Sequence, residues 1–116
     1  MIGDDDEDLL FLLKNQLASA GYIVSVCSNG NSIIKKIIAE KPNIVLLDIH
    51  MKGINGDELC RKIKKDKKLS DVKVVIMSGE YNIEKISLAC GADSYISKPL
   101  SYSGIQNKIS ILFSEQ

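Results

Sequence analysis

The sequence has few of the residues that mark metal-rich, disulfide-rich or membrane proteins. It contains one histidine and no Cys-x-x-Cys pair, which leaves little for a transition-metal site. Its three cysteines, Cys27, Cys60 and Cys90, are widely spaced in apolar segments, so we expect reduced core residues rather than a disulfide or zinc set. The apolar runs are too short to cross a bilayer, and no signal-peptide pattern opens the chain. These absences predict a cytoplasmic protein without membrane contact.

The chain also has no excess of charge of either sign. Fifteen basic and fifteen acidic residues give a formal net charge of zero, which provides no support for direct nucleic-acid binding. The basic stretch from Arg61 to Lys68 is interpreted as a solvated helix face. No linker, repeat or low-complexity segment interrupts the 116 residues, so one domain over residues 1–116 is expected.

Strand-like and helix-like stretches alternate along the whole chain. The predicted strands are residues 1–3, 22–27, 44–48, 72–77 and 94–97. Four of the predicted helices are residues 7–20, 32–40, 82–90 and 102–113. Another predicted helix, the third along the chain, follows Asn55 and ends in the lysines at 64–68. This alternation predicts an α/β fold with a parallel sheet and helices on both of its faces.

Within these helices the apolar residues recur at helical spacing. In the second helix, Ile33, Ile34, Ile37 and Ile38 are expected to share one buried face. Asn55 is expected to cap the third helix, with Glu58 three residues later as a capping-box partner. The other predicted core positions of the helices are Leu9, Leu10, Leu13, Leu17, Leu59, Cys60, Ile63, Ile105, Ile109 and Leu112.

Asp48 is the most informative residue of the sequence. It directly follows the apolar run from Ile44 to Leu47, which is typical of a strand buried on both faces. In open α/β sheets, ligands bind at the carboxyl ends of the strands. The acidic cluster from Asp4 to Asp8 and the Lys98–Pro99 pair are expected to reach the same edge. Carboxylates gathered there would repel one another unless a cation, a lysine or both lay among them.

In this order of motifs the chain resembles the receiver domain of bacterial two-component response regulators. The resemblance covers essentially all 116 residues. The motifs are the acidic pair Asp4–Asp5, the segment Leu-Leu-Asp-Ile-His-Met-Lys-Gly-Ile-Asn-Gly at 46–56, the segment Val-Ile-Met-Ser-Gly at 75–79, Tyr95, and Lys98–Pro99. Each motif alone is weak evidence, and the five in order form a strong signal.

The resemblance implies a phosphorylation site with a bound Mg²⁺ ion. Asp48 matches the residue that accepts the phosphoryl group, and Lys98 matches the lysine that binds it. Asp5, Asp48 and the backbone carbonyl of His50 would contact the ion, while Asp4 would act mainly through water. Mg²⁺ favours such a set, with few carboxylates, a carbonyl and several waters.

The resemblance also implies a conformational switch. Ser78 would donate a hydrogen bond to the phosphoryl group and move inward, which would open space for Tyr95 to turn into the interior. The surface formed by the fourth helix, the fifth strand and the fifth helix would then change shape and bind a downstream partner. A histidine kinase or a histidine phosphotransfer protein would be the donor, and homodimer formation is left open. The protein would be a signalling switch that catalyses only its own phosphorylation and dephosphorylation.

The family fold implied by the resemblance is a flavodoxin-like, doubly wound sheet of five parallel strands in the order 2-1-3-4-5, with five helices. Only Met1, Ile2 and Gly3 precede the acidic cluster, so the first strand is expected to be short. Either residues upstream are missing or the start is abnormal. The chain could be a single-domain regulator or the receiver piece of a longer protein, and the sequence leaves both readings open.

Two other functions use a similar strand-end site. A phosphatase of the haloacid-dehalogenase type needs a second aspartate two residues after the nucleophile, and His50 occupies that position. A flavodoxin-like electron carrier needs a loop rich in Ser, Thr and Gly after the first strand. Five consecutive acids stand there instead and would repel a flavin phosphate.

Overall fold

The computed structural model describes residues 1–114, which form five strands and five helices in strict alternation. The strands are β1 (Ile2–Gly3), β2 (Val26–Cys27), β3 (Ile44–Asp48), β4 (Lys73–Ser78) and β5 (Ser94–Ser97). The helices are α1 (Glu7–Ser19), α2 (Gly30–Glu40), α3 (Gly56–Lys65), α4 (Ile83–Cys90) and α5 (Tyr102–Ser114). The alternation predicted from the sequence is confirmed.

All strands pair in parallel, in the order β2-β1-β3-β4-β5. The predicted fold class and strand order are therefore confirmed. Every residue of β3 is buried, as its continuous apolar sequence predicts for a central strand covered on both faces. In the register of β3 with β4, Asp48 lies opposite Met77, so both strands end at the same edge.

The core consists of two layers, one on each face of the sheet. Val45 and Leu47 point to the face covered by α2, α3 and α4, while Leu46 points to the face covered by α1 and α5. Successive strand residues face opposite sides, so β3 contributes to both layers. Each fully buried large apolar side chain contributes about 1.5–3 kcal/mol to the free energy of unfolding. These two layers fix the strand ends in place.

The first strand is short, as expected, and it limits the strand beside it. β1 has only two residues, and β2 is confined to Val26–Cys27 although strand structure was expected from residue 22. Parallel strands form only where a neighbouring strand supplies hydrogen bonds. Between β1 and β2, the hydrogen bond nearest the start of both strands runs from the Ile2 N–H to the Ser25 carbonyl. The residues before Ser25 therefore lie beside the sheet without joining it.

Three local expectations about helices are corrected. Helix α2 begins at Gly30 rather than Ser32, because the Asn29 side chain accepts a hydrogen bond from the Asn31 N–H. Ile38 is 52% exposed, because the buried face of α2 is narrower than expected and is formed by residues 33 and 37. Asn55 occupies the position before α3 but makes no side-chain cap hydrogen bond.

The expectation for the cysteines is confirmed, since Cys27, Cys60 and Cys90 are all free and buried. The remaining predicted helical core positions are buried, apart from Leu9 and Ile34, which are half-buried. None of the helices within residues 1–114 is long and apolar enough to span a membrane.

Gly56 provides a test of how closely α3 approaches the end of β3. Its N–H donates to the Ile49 carbonyl, and a Cβ at this position would overlap the backbone carbonyl of Asp48. We expect Gly56→Ala to lower the free energy of unfolding by about 1–3 kcal/mol, the usual cost of overpacking. Urea denaturation followed by circular dichroism measures this.

The matched control is Gly79→Ala, also next to the site. A Cβ there would meet only the Lys98 Cβ, at 3.9 Å, which is ordinary contact. We expect the control to stay within about 1 kcal/mol of the wild type. Equal stability of the two variants would contradict the close approach of α3 to β3.

Candidate functional site

Four polar residues meet where neighbouring parallel strands end. Asp4 follows β1, Asp48 ends β3, Ser78 ends β4 and Lys98 follows β5. Because these strands lie side by side, their carboxyl ends form one edge of the sheet. Asp4, Asp48 and Ser78 are buried, at 1%, 6% and 1% exposure. The fold thus brings together residues that are far apart in the sequence.

The Lys98 ammonium lies between two of the carboxylates. Its Nζ is 3.1 Å from Asp4 Oδ2 and 3.5 Å from Asp48 Oδ2. The other oxygen of Asp4 accepts a hydrogen bond of 3.0 Å from the Asp6 N–H. The peptide bond between Lys98 and Pro99 is cis. Both carboxylate oxygens of Asp4 are thus held, one by the Asp6 N–H and the other by Lys98.

The electrostatics of this cluster disfavour two bare carboxylates. Burial raises the pKa of Asp48, and the nearby charge of Asp4 raises it further. Lys98 and the backbone N–H of His50 act in the opposite direction without cancelling the shift. Burial by itself would lower the pKa of Lys98, but its hydrogen bond to Asp4 and the charges of Asp4 and Asp48 raise it overall. The site is therefore short of positive charge.

Asp5 adds a third carboxylate on the open side of the cluster. It is exposed, and one oxygen from each of Asp4, Asp5 and Asp48 lies within 4.8 Å of the others. Within residues 1–114, Asp5 has no ion pair or side-chain hydrogen bond of its own. Three carboxylate oxygens at this spacing, with one side open to water, fit a hard cation such as Mg²⁺.

Ser78 has its hydroxyl oxygen held from the next loop. The Glu80 N–H donates to Ser78 Oγ at 3.0 Å, which leaves the hydroxyl hydrogen free to donate elsewhere. The Ser78 carbonyl accepts a hydrogen bond of 2.8 Å from the Lys98 N–H. Ser78 is thus placed at the predicted site, between the ends of β3 and β5.

Glu80 is a feature of the site that the sequence reasoning missed. Its carboxylate lies 2.5 Å from His50 Nε2, so the loops after β3 and β4 are joined across the mouth of the site. His50 also gives its backbone N–H to Asp48. Because Asp48 pairs with Met77, residues 50 and 80 leave the sheet at the same edge. This register is the feature that places the two side chains close together.

Tyr95 lies on β5 and is half-buried. Its ring packs against the core layer beneath α2, α3 and α4, on the side of the sheet where α4 lies. It is one strand away from Ser78, since Ile76 of β4 pairs with Tyr95 and Ser78 pairs with Ser97. The predicted switch residues therefore occupy adjacent strands, and the switching role of each stays a prediction.

One cavity lies away from this cluster of polar residues. It has a volume of about 310 Å³ and is lined at the opposite end of the sheet by residues that include Leu17, Ile44 and Phe113. It contains none of the carboxylates or the lysine of the strand-end cluster. Polar chemistry and cavity volume point to different places here, and the carboxylate–lysine cluster is the one suited to phosphoryl chemistry.

Two curated relatives have similar sequences over most of this chain. The alkaline phosphatase synthesis transcriptional regulatory protein PhoP of Bacillus subtilis is 31% identical over 101 residues, 87% of this chain and 42% of the relative. The transcriptional regulatory protein YxdJ of the same organism is 34% identical over 109 residues, 94% of this chain and 47% of the relative. The chain therefore spans less than half the length of either relative.

Solved structures and the family model agree with these relatives. The response regulator TrrA of Thermotoga maritima, solved with Mg²⁺ and BeF, has a TM-score of 0.84 and 31% identity, over 96% of this chain and 95% of that one. The family model described as the response regulator receiver domain matches residues 1–110. The chain belongs to the response regulator receiver domain family.

Proposed function

We propose that Asp48 accepts a phosphoryl group from a phosphohistidine and that this reaction depends on Mg²⁺. Receiver domains are phosphorylation-based signalling switches, and response regulators are phosphorylated by histidine kinases. The observation that carries the proposal is the cluster at the sheet edge, where Lys98 lies within 3.5 Å of Asp48 and two further carboxylates stand beside it. We extend the proposal to one receiver domain over residues 1–116.

Asp48 would act as the nucleophile. One carboxylate oxygen attacks phosphorus, the bond from phosphorus to the donor imidazole breaks, and an acyl phosphate forms on Asp48. The reaction requires positioning and neutralisation of charge more than covalent assistance. The buried position of Asp48 at the end of a rigid central strand supports this role.

The residues around Asp48 would neutralise the incoming charge. Lys98 stands close enough to Asp48 to bind a phosphoryl oxygen as a compact positive charge. Asp5, Asp48 and the His50 carbonyl would hold Mg²⁺, and Asp4 would orient its waters. When bound, the ion offsets the repulsion between the Asp48 carboxylate and the phosphoryl oxygens. The raised pKa of Asp48 supports a need for added positive charge.

Ser78 and Tyr95 would convert phosphorylation into a change of surface. The free hydroxyl hydrogen of Ser78 would be donated to a phosphoryl oxygen, and the loop tied to it through the Glu80 N–H would follow. Tyr95 would then turn further into the interior. The product carries about two negative charges and strong acceptors, which suits such a switch.

The partner surface would be formed by α4, β5 and α5. β5 is the edge strand of the sheet, and Leu88 on α4 is 74% exposed. The zero net charge favours a protein partner over a nucleic acid or a membrane. A second copy of the chain is an alternative occupant of this face. We place the protein in the cytoplasm, with the chain acting as a switch rather than as a turnover enzyme.

The two alternative functions receive no support. The sequence and structural relatives described above are response regulators or regulatory proteins, rather than phosphatases or flavin carriers. His50 stands where the phosphatase would need its second aspartate, and its side chain pairs with Glu80. The acidic residues after β1 would repel a flavin phosphate.

The first prediction concerns the acceptor. Incubation with Mg²⁺ and acetyl phosphate should add one phosphoryl group, detected by intact mass, and Asp48→Asn should abolish the addition because the amide is not a nucleophile. Asp8→Asn is the matched control, since Asp8 is an exposed acid in the first turn of α1, and it should be labelled like the wild type. Labelling of Asp48→Asn at the wild-type rate would mean that another residue is the acceptor.

The second prediction concerns the ion. Mg²⁺ at a hundred times its dissociation constant should raise the free energy of unfolding by about 2.7 kcal/mol. Asp5→Asn should lose most of this stabilisation, because the substitution removes the charge of a proposed direct ligand. Asp5 is also the exposed carboxylate of the three. Thermal denaturation with and without Mg²⁺ measures the effect, with Asp8→Asn again as control. An unchanged Mg²⁺ response in Asp5→Asn would remove Asp5 from the ligand set.

The third prediction concerns the switch. Beryllofluoride with Mg²⁺ should shift the amide and ring NMR signals of Tyr95 in the wild type. In Ser78→Ala the complex should still form while the Tyr95 shift is lost, because the hydroxyl that follows the phosphoryl mimic is absent. Ser70→Ala, an exposed serine after α3, should behave as the wild type. A full Tyr95 shift in Ser78→Ala would show that Ser78 does not transmit the signal.

A further inference from the structure

Two of the three buried thiols meet where α3 packs against α4. Cys60 on α3 is completely buried, and Cys90, the last residue of α4, is 3% exposed. The Cys60 thiol donates to the Cys90 carbonyl over 3.3 Å, so the Cys60 side chain touches the last residue of α4. A Cβ built on Gly91 would lie 3.9 Å from the Lys64 Cβ, and Lys64 is one turn from Cys60 on the same face of α3.

The two thiols also act on each other electrostatically. Hydrogen bonding from Cys60 lowers the pKa of Cys90, and the neighbouring Arg61 guanidinium and the Ala92 N–H lower it further, against the opposing effect of burial. The pKa of Cys60 is raised, first by its hydrogen bond with Cys90 and then by burial. The pair is therefore asymmetric: Cys90 loses its proton first, and a thiolate is the reactive form of cysteine.

We propose that Cys60 and Cys90 are a redox-active dithiol that closes to a disulfide between α3 and α4 when the protein meets a hydroperoxide. Both thiols are free in the structure, so the bond would form only on oxidation and would be reversible rather than structural. Access comes through the end of α4, since terminal helical turns open more easily than the core.

The reaction balances with one hydroperoxide. The Cys90 thiolate attacks one oxygen of hydrogen peroxide and the O–O bond breaks, which leaves a sulfenic acid on Cys90. The hydroxide that leaves takes up a proton and becomes water. The Cys60 thiol then attacks the Cys90 sulfur and releases a second water. Two thiols lose two electrons in total and the peroxide gains them. A thiol reductant reverses the bond by exchange.

Cys27 provides a control within the same chain. It is also buried, but its thiol hydrogen-bonds to the Asn29 carbonyl and the Ser32 hydroxyl. It lies on β2, the edge strand next to β1. Another cysteine is not among its hydrogen-bond partners within residues 1–114. It should therefore stay reduced under the conditions that oxidise the pair.

The bond would also affect the proposed switch, and this consequence, unlike the bond itself, rests on the proposed function. α4 belongs to the face that is proposed to change on phosphorylation, and the bond would anchor its carboxyl end to α3. The oxidised protein should then show a smaller beryllofluoride-induced shift at Tyr95.

The experiment uses the full chain without Mg²⁺ or phosphodonor, so its outcome does not depend on Asp48. The reduced protein is treated with hydrogen peroxide, alkylated under denaturing conditions and digested. We expect free thiols to fall from three to one, and we expect a peptide pair joined through Cys60 and Cys90, lost on addition of dithiothreitol. Cys27 should carry the alkyl label.

Variants separate the pair from general oxidation. Cys27→Ser should still form the bond. Cys90→Ala should retain two alkylatable thiols, because the residue that attacks the peroxide is absent. Cys60→Ala should form no bond and should lose only the Cys90 thiol, which stays oxidised because no second thiol resolves it. Peptide mapping of the wild type carries the test even if a variant does not fold. Three free thiols after treatment, a bond that includes Cys27, or oxidation of Cys90 to sulfinic acid without a bond would each overturn the proposal.

Discussion

The ion pairs of Lys98 with Asp4 and Asp48 are the interaction on which the proposed chemistry depends. They join the ends of β1, β3 and β5 at one edge of the sheet, across 94 positions of sequence in the case of Asp4 and Lys98. A single ammonium lies between two buried carboxylates, and the pKa of Asp48 is raised, first by burial and then by the charge of Asp4. We propose that a cation on the Asp5 side supplies further positive charge before the site accepts a phosphoryl group.

The ends of the strands could be predicted from the sequence because a fully apolar run followed by an acid fits few positions in a fold. A run such as Ile44 to Leu47 is typical of a strand buried on both faces of a parallel sheet, and an acid directly after such a strand lies at the carboxyl edge. The positions of Asp4 and Lys98 followed from the same rule. The strand order, in contrast, came from the family resemblance and was confirmed by the structure.

Other features depend on three-dimensional neighbours that a single sequence does not reveal. The His50–Glu80 contact joins two loops, and finding it required the register of β3 with β4. The length of β2 depended on how much of β1 was available for pairing. The exposure of Ile38 depended on how wide a face of α2 is buried against its neighbours. The contact between Cys60 and Cys90 depended on how closely the end of α4 approaches α3.

The proposed chemistry therefore requires that Asp48 is the residue that carries the phosphoryl group. The most direct measurement is to phosphorylate the protein with acetyl phosphate and Mg²⁺, reduce the acyl phosphate with borohydride, and map the peptides. Reduction converts a phosphorylated aspartate to homoserine, so we expect homoserine at position 48. Homoserine at position 4 or 5, or none in a protein that has gained a phosphoryl group, would contradict it.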